Sequence, residues 1–463
     1  MPAFEFITSD STGKPTATDL RRVRSRCMRG VHKKPNSRRS VREAKQQQEQ
    51  ARIVRLSNSI PSPLCTDLST ITFADTIGPD SRRLIHKVLA SDLMSQFLAP
   101  VEEVTEFPLD KTAAPISWLS DDAPFLYAVL FTGSLMEDLL SHERQEPRSE
   151  TYKYLRKTIA SLNEKLNKPG SHLEDSTLQV VMNLAMSTAV MGDWDAAWTH
   201  SAGLHRILAL KGGFQYLLSN AKLHYKIDRI IMAMAIGLGK KLFCPFNQST
   251  MWIPLYPAAD PTTGFSFDIR MIPEIDDQRL IDIFRDLQHF AWELNERVQN
   301  GERCEGTYFQ KATHSIQSRM MHLPDRCDDS ASELLHVGMY ACVTPVFNTF
   351  RRNLQFSSLA HRLKNLHRSI EMSLISEAHA DLVIWVLVMS AMTVTSTEDF
   401  WIREKWAMVI GKLGLSLEGL KSRLSRVVWL GPFFEGAYRK TYNALSREDV
   451  GIFLANRSKA HES

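Results

Sequence analysis

From about residue 82 onward, apolar side chains recur every three or four positions almost without a break, and this spacing constrains the fold more than any other feature. It gives each helix one apolar face that must pack against a neighbour. No stretch has several alternating strand patterns in succession, so a fold built on sheets has little support. The sequence therefore predicts an all-α fold, a large helical bundle or array. The segment 277–300 is typical, with apolar residues at Leu280, Ile281, Phe284, Leu287, Trp292 and Leu294.

The predicted helices are separated by short breaks and by two longer ones, at 101–120 and at the proline-rich segment 244–275. Residues 57–81 contain Pro61, Pro63, Gly78 and Pro79 among many Ser and Thr and are predicted to be a linker. We therefore divide the chain into an N-terminal basic arm and linker, 1–81, which we expect to be partly disordered, and an all-helical domain, 82–463. The predicted helices of that domain are 82–98, 122–142, 149–167, 173–191, 193–211, 222–243, 277–300, 306–322, 329–349, 357–374, 376–395 and 398–413.

The charge of the chain is concentrated in one segment. Residues 21–55 hold thirteen Lys or Arg and two Glu, a local charge of +11. Because the whole chain carries only +4, the remaining residues sum to −7. A basic arm attached to a mildly acidic body suggests contact with a polyanion or with a nuclear-import receptor.

Three interpretations of the basic arm stay open. Its cations can neutralise phosphates and release counterions, as basic-region helices do when they enter a DNA groove. Paired cations such as those at 33–34 and 38–39 fit a nuclear-import signal equally well, and a charged arm can simply be solvated. No aromatic residue lies among these cations, which disfavours stacking on single-stranded nucleic acid. The residues expected to contact nucleic acid or an import receptor are Arg21, Arg22, Arg24, Arg26, Arg29, Lys33, Lys34, Arg38, Arg39 and Arg42.

The cysteines and the apolar segments indicate in which cellular compartment the protein works. The six cysteines lie at least fifteen residues apart and form no C-x-x-C, so we expect free thiols in a reducing interior. The first residues lack the basic and apolar regions of a secretory signal. The apolar segments 125–140 and 382–394 are shorter than the roughly 20 residues that a spanning helix needs and have acidic residues close by. They are predicted to be core helices, and we expect no membrane contact.

Motifs for catalysis are not found. Three pairs of adjacent aspartates lack the further acid, one helical turn on, with which terpenoid cyclases hold magnesium, so we interpret them as helix N-caps; they lie at 121–122, 276–277 and 328–329. The Gly-Lys at 239–240 lacks the other residues of a phosphate-binding loop and is interpreted as a helix C-terminus. His200 and His205 are five positions apart, which is a poor spacing for a shared metal. We expect no enzyme, no cofactor and no metal, and an all-α enzyme is the least favoured alternative.

Three segments resemble a fungal family of transcription-factor-domain proteins. Phe-Glu-Phe-Ile at 4–7 and Val-Arg-Ser-Arg-Cys-Met-Arg at 23–29 resemble the family's N-terminal signature, a short strand-like start before a basic run. Residues 194–213 resemble the family's helix that carries a His, a Gly-Leu and a terminal R-G-G, here Lys-Gly-Gly. Residues 382–389, followed by Trp401, are similar to its late tryptophan-bearing core helix. The three segments come in the expected order and span most of the chain.

The second of these segments also has a physical interpretation of its own. Gly203 is expected to let a neighbouring helix approach closely, and Gly212 or Gly213 to supply the left-handed residue that closes the helix. We expect structural packing rather than ligand binding. The residues expected to form one buried stripe are Ala197, Ser201, Leu204 and Leu208.

The resemblance implies the helical regulatory domain that lies behind six-cysteine binuclear zinc clusters in fungal transcription factors. Family members regulate transcription by RNA polymerase II, often of metabolic or secondary-metabolite genes, which implies a nuclear protein with DNA or other transcription factors as partners. The zinc cluster itself is absent, and only Cys27 lies near the arm. Either the arm binds DNA in another way or the protein regulates through a partner. The alternative is a helical protein-interaction or ligand-sensing protein without DNA contact.

Overall fold

The computed structural model describes residues 71–89, 101, 103–106, 116–141, 146–240, 251–256, 265–347, 357–369 and 376–446. The structure divides into two units after Thr70, and all the described residues belong to the second, Ile71–Ser463. The predicted basic arm and most of the predicted linker lie outside the described residues.

The described residues form sixteen α-helices, which confirms the predicted all-α fold. In the described part of the chain, one parallel pairing joins two strands of two residues each, β1 (Thr105–Glu106) and β2 (Cys304–Glu305), with Thr105 opposite Cys304. The helices are α1 Pro79–Leu89, α2 Ser117–Asp121, α3 Ala123–Leu140, α4 Ser149–Leu166, α5 Asp175–Val190, α6 Trp194–Leu210, α7 Phe214–Leu218, α8 Ala221–Leu238, α9 Gln278–Gln299, α10 Gly306–His322, α11 Ser330–Phe347, α12 Ser357–Ser369, α13 Glu377–Thr393, α14 Phe400–Trp406, α15 Leu417–Val427 and α16 Gly431–Leu445.

The helices pack against consecutive helices and against helices two or three places away in the chain. Helix α3 lies between α4 and α5, α5 packs on α6, and α8 packs on α10. Helix α13 is buried on all sides among α11, α15 and α16. At its middle Trp385 is fully buried and donates its indole N–H to the Val428 carbonyl at 2.8 Å. The tryptophan in the third family-like segment is therefore a core residue whose one polar atom is satisfied.

The aspartate pairs act as predicted. In each pair the second residue precedes a helix, and its carboxylate accepts a backbone N–H from the first turn. The distances are 2.9 Å for Asp122, 2.9 Å for Asp277 and 2.7 Å for Asp329. These carboxylates satisfy the free N–H groups at the starts of α3, α9 and α11, which confirms the N-cap interpretation.

The glycines after α6 close that helix as predicted. The N–H of Gly213 reaches back to the Leu208 carbonyl at 2.8 Å and that of Gly212 to the Ala209 carbonyl at 3.3 Å. Both glycines have positive φ, which side chains disfavour. This is the hydrogen-bond pattern of a Schellman motif. Gly239 likewise closes α8 in the left-handed conformation, so the Gly-Lys at 239–240 is a helix C-terminus and not a phosphate loop.

Some details of the sequence prediction are wrong. Helices α15 and α16 lie beyond the last predicted helix, and α2 falls in a predicted break. Trp292, placed in the apolar stripe of α9, is 48% exposed. Close helix approach does not occur at Gly203, where an added Cβ would meet only one atom, 4.0 Å away on Val181. It occurs instead at Gly237 and Gly338, each of which packs against a tryptophan ring.

Helix α3 is long and apolar enough to cross a membrane by length and composition, and 67% of that segment is buried inside the protein. Its apolar residues pack on α1, α4 and α5. The burial agrees with the prediction of a core helix.

Candidate functional site

None of the ten arm residues predicted to contact nucleic acid or an import receptor lies within the described residues, so their placement stays a prediction. The second family-like segment is described, as helix α6. Its predicted stripe is buried as expected, since no member exposes more than a twentieth of its surface. The stripe consists of Ala197, Ser201, Leu204 and Leu208. Helix α6 packs against α5 and α8, and Ala197 lies in a buried cluster with Ala189, Ala233 and Met234.

A group of three buried ionisable side chains lies between α8 and α10. His224 and Asp228 are one turn apart on α8, so they share a face, and His314 projects from α10 towards them. The Nδ1 atom of His314 lies 3.0 Å from Oδ2 of Asp228 and 3.2 Å from Nε2 of His224. Nε2 of His224 lies 3.8 Å from the same carboxylate oxygen. We call these three residues the His-Asp-His cluster.

Two glutamines of α10 hold this cluster in place. Gln310, one turn before His314, donates its amide N–H to Oδ2 of Asp228 at 2.8 Å. Gln317 donates to the Asp228 backbone carbonyl at 2.9 Å. All five side chains are buried. The carboxylate of Asp228 is thereby fixed by contacts from the facing helix.

Burial and neighbouring charge act in opposite directions within the cluster. Burial lowers the pKa of His224 to about 4, so this imidazole is neutral at physiological pH. Burial also works against the charge of Asp228, but the adjacent His314 and His224 rings and the hydrogen bonds from His314 and Gln310 outweigh it and keep the pKa of Asp228 below its ordinary value. Among the described residues no Lys or Arg forms an ion pair with Asp228. A buried carboxylate without such a partner needs a proton or a cation beside it.

A second cluster joins a thiol to an imidazole. Sγ of Cys327 lies 3.9 Å from Nδ1 of His336, whose Nε2 lies 3.3 Å from the Met320 carbonyl. A proton on Nε2 would be donated to that carbonyl and would leave Nδ1 facing the thiol as an acceptor. Both oxygens of Glu333 are engaged, one by Arg362 and one by the Cys327 backbone N–H at 3.0 Å.

The thiol of this second cluster is not activated. Burial, followed by the negative charges of Glu333 and Asp329, raises the pKa of Cys327 to about 12. A nucleophilic cysteine needs a lowered pKa, because the thiolate is the reactive form. The geometry of a cysteine–histidine pair is present at Cys327 and His336, but the electrostatics oppose catalysis.

A surface cleft of about 360 Å³ opens between α9, α15 and the start of α16. Among its lining residues, Asn295 donates to the Trp429 carbonyl and accepts the Gly431 N–H at 2.9 Å, which joins α9 to the start of α16. The half-exposed ring of Trp292 lines one side, and both signs of charge line the cleft, from Glu296, Glu435, Lys421 and Arg426. Such mixed lining suits a polypeptide surface better than a small charged substrate.

Comparison of the chain with protein-family models, curated proteins and solved structures finds no match. Sequence reasoning considered His200 and His205 and missed the His-Asp-His cluster. The four-residue spacing of His224 and Asp228 inside a predicted helix was the available signal.

Proposed function

We propose that this chain is a fungal nuclear regulator of RNA polymerase II transcription. In this proposal the basic arm contacts DNA or an import receptor, and the helical domain binds other regulatory proteins. The observation that carries the proposal is the separation of charge, +11 in residues 21–55 against −7 in the rest. The resemblance of three segments to fungal transcription-factor-domain proteins supports it independently.

The use of basic side chains within the helical domain also supports this assignment. Several of its buried or partly buried cations have carboxylate partners: Lys165 with Asp122, Arg319 with Asp286, Arg362 with Glu333, and Arg423 with Asp381. Such pairs hold the domain together and leave these cations little to offer a phosphate. In the arm, by contrast, thirteen cations share the segment with only two glutamates, so most of them have no acidic residue nearby in sequence.

A second candidate function is a helical interaction or ligand-sensing protein without DNA contact. Two observations favour it: the sequence has no binuclear zinc-cluster spacing, and the described domain contains a cleft lined by Trp292 and charges of both signs. This candidate keeps the helical domain as a binding surface and reduces the arm to a solvated or import segment.

Localisation in a fungal cell tests the proposal. One variant replaces five arm arginines by glutamine: Arg21, Arg22, Arg24, Arg26 and Arg29. A matched variant replaces five exposed basic residues of the helical domain: Arg83, Lys153, Arg270, Arg279 and Arg439. We expect the intact protein and the matched variant to accumulate in the nucleus and the arm variant to lose that accumulation. Cytoplasmic signal from the intact protein would contradict a nuclear role.

Salt dependence separates DNA contact from import. If the arm binds duplex DNA, the logarithm of the binding constant falls with the logarithm of salt concentration by about 0.9 per phosphate contacted. The arm variant should then show a shallower slope, whereas the matched variant should keep that of the intact protein. Equal slopes for all three would favour the second candidate, with the arm serving import alone.

A further inference from the structure

The three side chains of the His-Asp-His cluster are spaced as metal ligands are. Their facing atoms, Nε2 of His224, Oδ2 of Asp228 and Nδ1 of His314, are separated by 3.0, 3.2 and 3.8 Å. A tetrahedral Zn²⁺ ion with nitrogen and oxygen ligands at about 2.0–2.1 Å holds its ligand atoms about 3.3–3.4 Å apart. A point equidistant from all three atoms in their plane lies about 2.0 Å from each, which is a zinc–ligand bond length.

The charge of the cluster favours a cation at that point. Asp228 is fully buried, has no Lys or Arg ion-pair partner among the described residues, and faces two imidazoles. A divalent ion would neutralise the carboxylate and would bind one ring nitrogen of each imidazole, the two nitrogens that lie 3.2 Å apart. A hydrogen bond between the His314 ring and Asp228, 3.0 Å long, stabilises the same carboxylate without an ion. Both states fit the positions of the atoms.

We propose that His224, Asp228 and His314 bind one divalent transition-metal ion of the zinc class. Two imidazoles and one carboxylate suit zinc, cobalt or nickel, whereas magnesium and calcium prefer oxygen ligands throughout. The ion would tie α8 to α10, and its binding would stabilise the helical domain. The inference does not depend on the proposed function, because neither the arm nor DNA enters it.

Gln310 is the neighbouring side chain suited to complete the coordination. Its amide already touches Asp228 through the N–H, and its Oε1 is buried and accepts no hydrogen bond from the described residues. The two ends of a glutamine amide exchange by a half turn. An ion in the cluster would favour the orientation that presents Oε1 to it and would give that oxygen a partner.

The Cys327–Glu333–His336 group is a weaker candidate for the same ion. Arg362 and the Cys327 backbone N–H already engage both oxygens of Glu333. A guanidinium beside a metal ligand repels the ion that the ligand should hold. This group therefore supplies the control residue.

Cobalt titration of the full chain tests the site. The protein is prepared without a histidine tag and stripped of metal with a chelator, and Co²⁺ is added. We expect one equivalent to produce the visible bands of tetrahedral Co²⁺ without a thiolate charge-transfer band, and Zn²⁺, but not Mg²⁺, to displace it. Zinc should also raise the melting temperature. A metal-free protein with no saturable cobalt spectrum and no zinc-dependent melting shift would overturn the proposal.

Variants locate the ion. We expect His314→Gln to weaken cobalt binding more than about a hundredfold, since the loss of a direct ligand exceeds the 10–100-fold cost of losing an outer-shell contact. Gln310→Ala should weaken it less, and His336→Gln should bind as the wild type does. Binding lost in His336→Gln but kept in His314→Gln would move the site to Cys327 and contradict the assignment. Circular dichroism of each metal-free variant shows whether the fold is retained, and if His314→Gln does not fold, the wild-type titration decides.

Discussion

The indole ring of Trp194 lies directly against Gly237, so that a Cβ added at Gly237 would be 2.2 Å from the ring. Trp194 is the first residue of α6, and Gly237 lies in the last turn of α8. No side chain larger than hydrogen fits between the two helices without moving the ring. The contact joins the family-like segment to the helix that carries His224 and Asp228.

We predict that Gly237→Ala destabilises the protein by about 1–3 kcal/mol, the usual cost of overpacking a filled site. Gly203→Ala is the matched control, because it also lies inside a helix but would meet only one atom, 4.0 Å away. That control should be neutral or stabilising by up to about 1 kcal/mol, since alanine favours helices over glycine. Urea unfolding of both variants provides the measurement. Equal effects would show that Trp194 moves aside freely.

Removing one partner of a buried ion pair should destabilise the protein strongly. Asp286 and Arg319 lie 2.5 Å apart and are almost fully buried, and Asp286 also accepts the backbone N–H groups of Leu255 and Tyr256. We expect Asp286→Ala to cost about 3–5 kcal/mol, because it leaves a buried guanidinium without its partner. Glu150→Gln, which breaks an exposed pair, should cost less than about 1 kcal/mol. Similar unfolding midpoints for the two variants would contradict this.

His367 should make stability depend on pH below neutrality. It is buried beside Trp401, and burial lowers its pKa to about 3 from the ordinary 6.5. The folded state thus favours the neutral ring. The contribution of His367 to the free energy of unfolding is therefore fully present above pH 6.5 and is lost as the pH falls towards 3. The loss approaches about 1.4 kcal/mol per pH unit well below pH 6.5.

The variant His367→Phe should remove this part of the pH dependence, since phenylalanine keeps a ring beside Trp401 but cannot take up a proton. Unfolding free energies between pH 7 and 4.5 give the measurement, with His361→Phe, on the exposed side of the same helix, as control. A His367→Phe curve parallel to that of the wild type would show that His367 is protonated equally in both states.

The cysteines of the described residues should react slowly in the folded protein. The pKa of Cys327 is raised to about 12 and that of Cys304 to about 11, in both cases chiefly by burial, so little thiolate forms near pH 8. We expect iodoacetamide to label both within minutes in urea and hardly at all under native conditions, as measured by peptide mass spectrometry. Rapid native labelling of Cys327 would instead indicate an activated thiol beside His336.

Much of the fold could be predicted from the sequence because its helices are amphipathic. The predicted 306–322 matches α10, and the predicted 149–167 ends one residue after α4. Helix α15, which was not predicted, also has a signal in the sequence, since Leu420, Leu424 and Val427 follow helical spacing and are buried. The prediction that Trp292 is buried was wrong because periodicity shows which side of a helix faces the core. It does not show how much of that side the neighbouring helices cover.

The His-Asp-His cluster could not be predicted in full. The spacing of His224 and Asp228 is visible in the sequence, but His314 follows Asp228 by 86 residues and meets it only because α8 packs on α10. Several other histidines lie on predicted helices, and periodicity alone does not tell which of them faces a buried carboxylate.

Chromatin profiling of the tagged full chain in a fungal host tests the central claim most directly, namely that the basic arm brings this helical protein to genes. The comparison is between the intact protein and the variant with glutamine at Arg21, Arg22, Arg24, Arg26 and Arg29, each carrying an added independent import signal. We predict discrete promoter peaks for the intact protein and their loss in the variant despite its nuclear location. Peaks that persist unchanged in the variant, or an intact nuclear protein with no enrichment at promoters, would contradict the claim.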